Sequence, residues 1–390
     1  MHIPLNTWHP FRLGRFRERV CGGAIVLGLM MGVGSIHAET GVTEHRIVVG
    51  MSVPITGVNA RFGTELEQGV RLGLARANAE GGLAGREFEL LVKDDASQAG
   101  QAAANTKALA ASAFVLTGYH GSAAVEAALP LIESAGIPLI GVASGAEVLR
   151  EPALRNVFNL RAGARDEAAA IVLQFDTIGL TEIAAIAQDD ALGNAAIDGV
   201  QFQLMRLAIR PLALVKFEPG ASSAARVSEA VRTACKGQPQ ALVLGLNGTM
   251  ALTVIREARK IKCLPQFYVM SEAGGELLRS GATPKELAGI IASQVLPYPW
   301  SASVPVVTEY QQLAGESASY AGLEGFIYAR VIAAASRSCG AQLTRTCMIA
   351  KLEAKPVDIG GYRVRFKSGE RRGSGFVEMT IITSDGRFRR

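Results

Sequence analysis

With 390 residues, 49% of them apolar and 19% charged, the chain can bury more than one small core, so two lobes are expected. The formal net charge is +5, and +3 of it sits in residues 1–38, where Arg12, Arg15, Arg17 and Arg19 are offset only by Glu18. The rest is nearly neutral, which gives no case for nucleic-acid binding; the arginines at 371, 372, 387, 389 and 390 read as a solvated basic end.

Residues 1–38 read as a secretory signal peptide. The arginines precede an apolar run, Val20–Val33, too short to span a membrane as a mature helix, and Ser35–Ala38 closes on a small residue. No later run is long enough for a transmembrane helix. His45–Val53 then reads as a strand, Ile55–Phe62 as a loop, and Gly63–Asn78 as a helix with Leu66, Val70, Leu74 and Ala77 on one face. Strand Glu87–Val92, helix Gln98–Ala110 and strand Ala113–Thr117 continue a strand–helix alternation, the mark of a parallel sheet.

The stretch from Gly118 to Leu149 is the centre of the chain. Loop Tyr119–Gly121 leads to Ser122 and a helix over Ala123–Ile132; strand Ile137–Ile140 leads through Gly141–Gly145 to a second helical turn at Ala146–Leu149. Two neighbouring strands thus end in small-residue loops, each with a hydroxyl and each opening a helix. Free N–H groups at helix starts, together with Ser122 and Ser144, suit a carboxylate-sized anion at the carboxyl ends of the strands. The alternative is that both serines cap their own helices.

Beyond the crossing at Phe158–Gly163 a second alternation runs: helix Asp166–Ile178, strand Ile183–Ala187, helix Ala191–Arg206, strand Leu212–Phe217, helix Ala221–Cys235, strand Ala241–Leu244, helix Gly248–Lys260, strand Gln266–Met270, helix Gly274–Arg279 and strand Ile290–Gln294. Val295–Trp300 reads as a connection, followed by helices Val306–Ala314, Tyr320–Ser336 and Thr344–Glu353 and a β-like end from Gly361. Outside residues 1–38 there are four cysteines, which allow three pairings. Cys339–Cys347, stapling two consecutive helices, and Cys235–Cys263, before two successive strands, are the favoured pair; free buried thiols are the alternative. No GxSxG, HExxH, GxxxxGK[ST] or GxGxxG motif occurs, and Asp94–Asp95 and Asp189–Asp190 sit at strand ends, where capping explains them. An enzyme, a cofactor and a metal site are therefore not expected.

GMSVPITG, ANAEGGLAGREFELLVKDDAS, TGYHGS, SQVLPYPW, SYAGLEGFIYARVIAAA and FVEMTIITSDGRF, in that order, resemble the leucine/isoleucine/valine-binding protein family, the type I periplasmic solute-binding proteins of ABC transporters. The resemblance covers roughly Arg46–Arg390. It implies an α/β fold: two Rossmann-like lobes with parallel central sheets joined by three crossover segments, near Phe158–Gly163, Ala292–Pro297 and Gly360–Arg365. One lobe would comprise 45–160 plus 296–360, the other 161–295 plus 361–390. It implies a periplasmic protein, a monomer, that closes like a hinge on an amino acid or small carboxylate and feeds an inner-membrane permease. A ligand-sensing receptor module on the same fold is the alternative.

The resemblance places Ser122 and Ser144 at the ligand carboxylate, with Val142 offering a backbone carbonyl and Ala143 beside it. Phe62 would cover the ligand, and Glu272 would pair its ammonium, since a buried ammonium without a partner is very costly; a surface Glu opening a turn is the other reading. Leu192, and Leu246–Asn247, depart from the family's tyrosines, so Asn247 and Tyr119 join the candidate set, with His120 either a pocket residue or a plain loop residue.

Overall fold

The structure, a computed structural model, describes residues 39–218 and 223–390. The expected signal peptide lies outside the described residues. The first lobe begins with β1 (Arg46–Val53), α1 (Ala60–Ala79), β2 (Glu87–Asp94), α2 (Ala99–Ala110), β3 (Val115–His120), α3 (Ser122–Ala135), β4 (Leu139–Ala143) and β5 (Val157–Phe158), with a short 3₁₀ turn at Glu147–Arg150. The second holds α4 (Ala164–Ile178), β6 (Ile183–Gln188), α5 (Ala191–Arg206), β7 (Ala213–Phe217), α6 (Ser223–Cys235), β8 (Ala241–Gly245), α7 (Gly248–Lys260), β9 (Gln266–Val269), α8 (Ser271–Arg279), α9 (Pro284–Leu287) and β10 (Ile291–Gln294). The chain then returns through α10 (Pro305–Ala314), α11 (Tyr320–Cys339), α12 (Arg345–Ala354), β11 (Val357–Asp358) and β12 (Arg363–Val364) before β13 (Glu378–Ile382) and β14 (Phe388–Arg389).

Five parallel strands in the order β2-β1-β3-β4-β5 form the first sheet. The second runs β14-β13-β10-β9-β8-β6-β7, parallel from β10 to β7, with β13 and β14 added antiparallel at one edge. Each sheet is apolar on both faces because helices cover both. Val49 and Met51 point into one core while Val48 points into another; in the second lobe Leu242 and Leu244 face one core and Ala241 and Val243 the other. Tyr362, Val364 and Phe366 join the core that holds β1, α1 and α11, so the chain crosses back to the second sheet only after them.

Helices α1 and α11 pack closely enough to demand glycine. A methyl on Gly69 would lie 1.9 Å from the Gly322 carbonyl oxygen, and one on Gly325 would lie 2.0 Å from that of Leu66. Backbone cannot yield as a side-chain tip can, so Gly325→Ala forces the helices apart. We expect it to lower stability by at least about 1–3 kcal/mol, read as a drop in the urea midpoint; an unchanged midpoint would mean that the pair slides freely.

Disulfides join Cys235 to Cys263, and Cys339 at the end of α11 to Cys347 in the first turn of α12. Asp190 caps α5 by accepting from Gly193 N–H at 2.8 Å. Asp94 accepts from Ile55 and Thr56 N–H and from the Thr56 hydroxyl, holding the loop before α1; the Thr56 bond comes first among the causes that bring its carboxyl down to about 2. Among the described residues no helix is long and apolar enough to cross a membrane, and no group of His, Cys, Asp or Glu is placed to hold a metal ion.

Candidate functional site

The register of β3 against β4 sets Tyr119 opposite Val142 and His120 opposite Ala143, so both strands deliver their carboxyl ends to one place. Gly121, at φ +83°, turns the chain into α3, whose first residue is Ser122. Ser144 follows β4 directly. The two hydroxyls meet at 2.9 Å, and Ser144 Oγ also accepts from Ala146 N–H at 3.2 Å. The neighbouring N–H, of Gly145, donates to a carboxylate oxygen of Glu272 at 3.0 Å. Glu272 stands in the first turn of α8, in the second lobe, so this bond spans the gap between lobes.

That gap is a cleft of about 830 Å³. Phe62, His120, Arg161 and Glu324 line it, together with Glu272, Glu276 and Arg279 from α8. Phe62 and His120 pack ring against ring, 4.5 Å between centroids. Burial pushes the His120 imidazolium down to about 4, against the pull of Glu272, so the ring is neutral at pH 7. The cleft wall thus offers His120 as a hydrogen-bonding group without charge.

Arg161, 3% exposed, lies on the first crossing between lobes and holds the floor of the cleft. Its guanidinium donates to Ser271 Oγ at 2.7 Å and to Glu324 Oε1 at 3.4 Å, and stands 3.8 Å from Glu167 and 3.9 Å from Glu272. Its Nε is buried without a partner. Burial works against the charge on Arg161, but Glu324, Glu272 and Glu167 outweigh it and raise its pKa. Burial likewise pushes the Glu167 and Glu324 carboxyls up, against the opposing pull of Arg161. Glu167 is further held by the Ser271 N–H at 2.8 Å and the Ser293 hydroxyl at 2.6 Å, and Glu324 by the Tyr328 hydroxyl at 2.5 Å.

Comparison with known proteins identifies this arrangement of two lobes around a polar cleft. The sequence pattern of the family described as periplasmic binding protein matches residues 46–387. The chain belongs to the periplasmic binding protein family. Among solved structures, the substrate-binding periplasmic protein of Ralstonia solanacearum is 28% identical, with TM-score 0.73 over 88% of this chain and 99% of that one. The extracellular ligand-binding receptor of Verminephrobacter eiseniae is 25% identical, with TM-score 0.77 over 88% and 100%. An amino acid binding protein of Pseudomonas aeruginosa is 27% identical over 183 residues, 45% of this chain and 49% of that protein. The matched stretch therefore spans about half the length of that curated relative.

As in a periplasmic binding protein, the sequence-derived candidates converge from both lobes, though unevenly. Phe62, His120 and Glu272 line the cleft. Phe62 does so from the first turn of α1, which begins at Ala60, earlier than the helix expected from Gly63. Ser122 and Ser144 meet each other beside the cleft rather than on its wall, and Glu272 stands at the N–H next to them. Helix α3 is a full helix, but the second helical beginning is only the four-residue 3₁₀ turn Glu147–Arg150.

Four candidates sit elsewhere. Tyr119 is fully buried, because β3 runs on through Gly118 to His120 and alternation turns Tyr119 toward α2, where its hydroxyl meets Thr106 at 2.9 Å. Val142 is buried in the same core, and Ala143 spends its carbonyl on Gly121 N–H at 3.2 Å. Asn247 caps α7 by accepting from Met250 N–H at 2.9 Å. The sequence reading missed Arg161, Glu167 and Glu324. The signal was there: Glu324 is a lone acid among the apolar residues of α11, and Arg161 stands between Leu160 and Ala162, and charged groups so placed are rarely buried unless paired.

Proposed function

We propose that the protein is the periplasmic solute-binding component of an ABC importer, taking an amino acid or related small carboxylate between its lobes by hinge closure. It would present the closed face to a permease in the inner membrane, acting as a monomer and without a cofactor. The lobes that move would be residues 45–160 with 296–366, and 161–295 with 367–390. The last boundary falls after Phe366 rather than at 360, because Tyr362, Val364 and Phe366 pack in the first lobe's core.

One observation carries this reading. The N–H of Gly145, beside Ser122 and Ser144, already holds a carboxylate, that of Glu272. That supports a place for such a group here. A ligand carboxylate would take the Gly145 N–H and the two hydroxyls, and Glu272, released, would turn to the ligand ammonium. A carboxylate with charge-assisted donors and an ammonium with a partner are what a buried zwitterion requires.

Calorimetry against a panel of amino acids and their des-amino acids tests the reading; no binding from any carboxylate class would sink it. In Ser122→Ala, we expect the tightest ligand to lose about 1–2 kcal/mol of binding free energy, the usual size for one hydrogen bond to a charged group. Unchanged affinity would leave the Ser122 hydroxyl with no partner but Ser144.

A further inference from the structure

We infer that the ligand carries an aromatic ring, seated against Trp300 at one end of the cleft. The inference rests on the reading of the cleft as a solute site and names the ligand class. Three distant segments bring four rings to this cleft: Tyr298 and Trp300 from the crossing after β10, Tyr320 from the start of α11, and Phe388 from β14. Trp300 lies 5.1 Å from Tyr298 and 5.8 Å from Tyr320, edge to face, and Tyr320 lies 5.7 Å from Phe388. Tyr298 is fixed by its hydroxyl, which donates to the Phe388 carbonyl at 2.8 Å.

Trp300 is not used up by this packing, being 47% exposed and on the cleft wall. A large ring left open within a cavity, with its neighbours held edge to face, is a receptor for another ring, since offset and edge-to-face pairs add to simple burial. Arg387 and Arg389 flank Phe388 on the same wall, paired only loosely with Asp385 at 3.9 and 4.0 Å, and a guanidinium over a ligand ring is favourable too. The cleft, at about 830 Å³, lies in the upper part of the range for small-molecule sites, and a short aliphatic side chain would leave much of it unfilled. Five arginines and five glutamates line it, so their formal charges cancel and a ligand with no net charge suits the wall.

Trp8 and Trp300 are the only tryptophans. In the full chain carrying Trp8→Phe, Trp300 is the sole emitter. Phenylalanine and 3-phenylpropanoate are compared with leucine and 4-methylpentanoate by calorimetry and tryptophan emission. The aromatic member of each pair binds roughly two- to ten-fold tighter and shifts or quenches the emission. Trp300→Leu, a substitution at a half-exposed position checked by its melting curve, removes that advantage in calorimetry, weakening the aromatic acids more than the aliphatic ones. If the aliphatic acids bind as tightly as the aromatic ones, or Trp300→Leu changes nothing, the aromatic assignment falls while the solute site stands. If none of the four binds, the aromatic assignment falls, and the wider acid panel decides whether the solute site falls with it.

Discussion

Arg161→Met lowers the stability of the folded chain by about 3–5 kcal/mol, the cost of leaving buried charges without their partner. Methionine keeps much of the length and apolar stem of arginine, so little of the loss comes from packing. What is lost is the one guanidinium set among Glu324 at 3.4 Å, Glu167 at 3.8 Å and Glu272 at 3.9 Å, together with its bond to Ser271. Glu167 and Glu324 are almost fully buried, so no water replaces the lost charge. The pH dependence follows in sign. Burial already raises the folded-state pKa of both carboxyls, and removing Arg161 raises them further. A carboxyl with a raised folded pKa stabilises when protonated, at low pH, and that stability is lost as pH rises through the folded value. The defect of Arg161→Met is therefore largest near neutrality and shrinks on acidification. Urea midpoints at pH 5 and pH 7.5, with the slope unchanged, measure it. Arg161→Met with Glu324→Gln recovers part of the loss. A defect under about 1 kcal/mol at neutral pH would mean that the carboxyls are neutral without help from Arg161.

The two lobes were legible because parallel strands buried on both faces read as short apolar runs between helices, and each such run from Arg46 to Gln294 became a strand. The place where β3 and β4 end was legible for the same reason. Tyr119 was misplaced because Gly118, at φ +69°, looks like a strand end in sequence, although here the strand continues through it. What lay beyond reach was pairing across distance. Arg161 and Glu324 are 163 residues apart and Gly145 and Glu272 are 127 apart, and no local pattern couples such positions. The ring cluster is the same case: Trp300, Tyr320 and Phe388 each read alone as core or surface, and only the fold gathers them.

Glu272→Gln separates the two charges of the ligand. Glu272 is 27% exposed in its side chain and faces both the Gly145 N–H at 3.0 Å and the Arg161 guanidinium at 3.9 Å. It is the acid on the cleft wall that already reaches across to the anion donors, so it is placed to follow a bound ligand from one charge to the other. An amino acid needs it, because an ammonium enclosed by closing lobes loses its water and must find a carboxylate. Glutamine keeps the shape and removes the charge, and we expect phenylalanine to lose about 2–4 kcal/mol, as when one partner of a buried charge pair is truncated. The des-amino analogue, 3-phenylpropanoate, has no ammonium to satisfy. It competes with Glu272 for Gly145, and a neutral amide is the weaker competitor, so its affinity holds or rises. Calorimetry on both ligands with both proteins gives the coupling directly. Equal losses for the two ligands would show that Glu272 supports the anion donors themselves, and the ammonium role would pass to another acid of the cleft, such as Glu276 or Glu324.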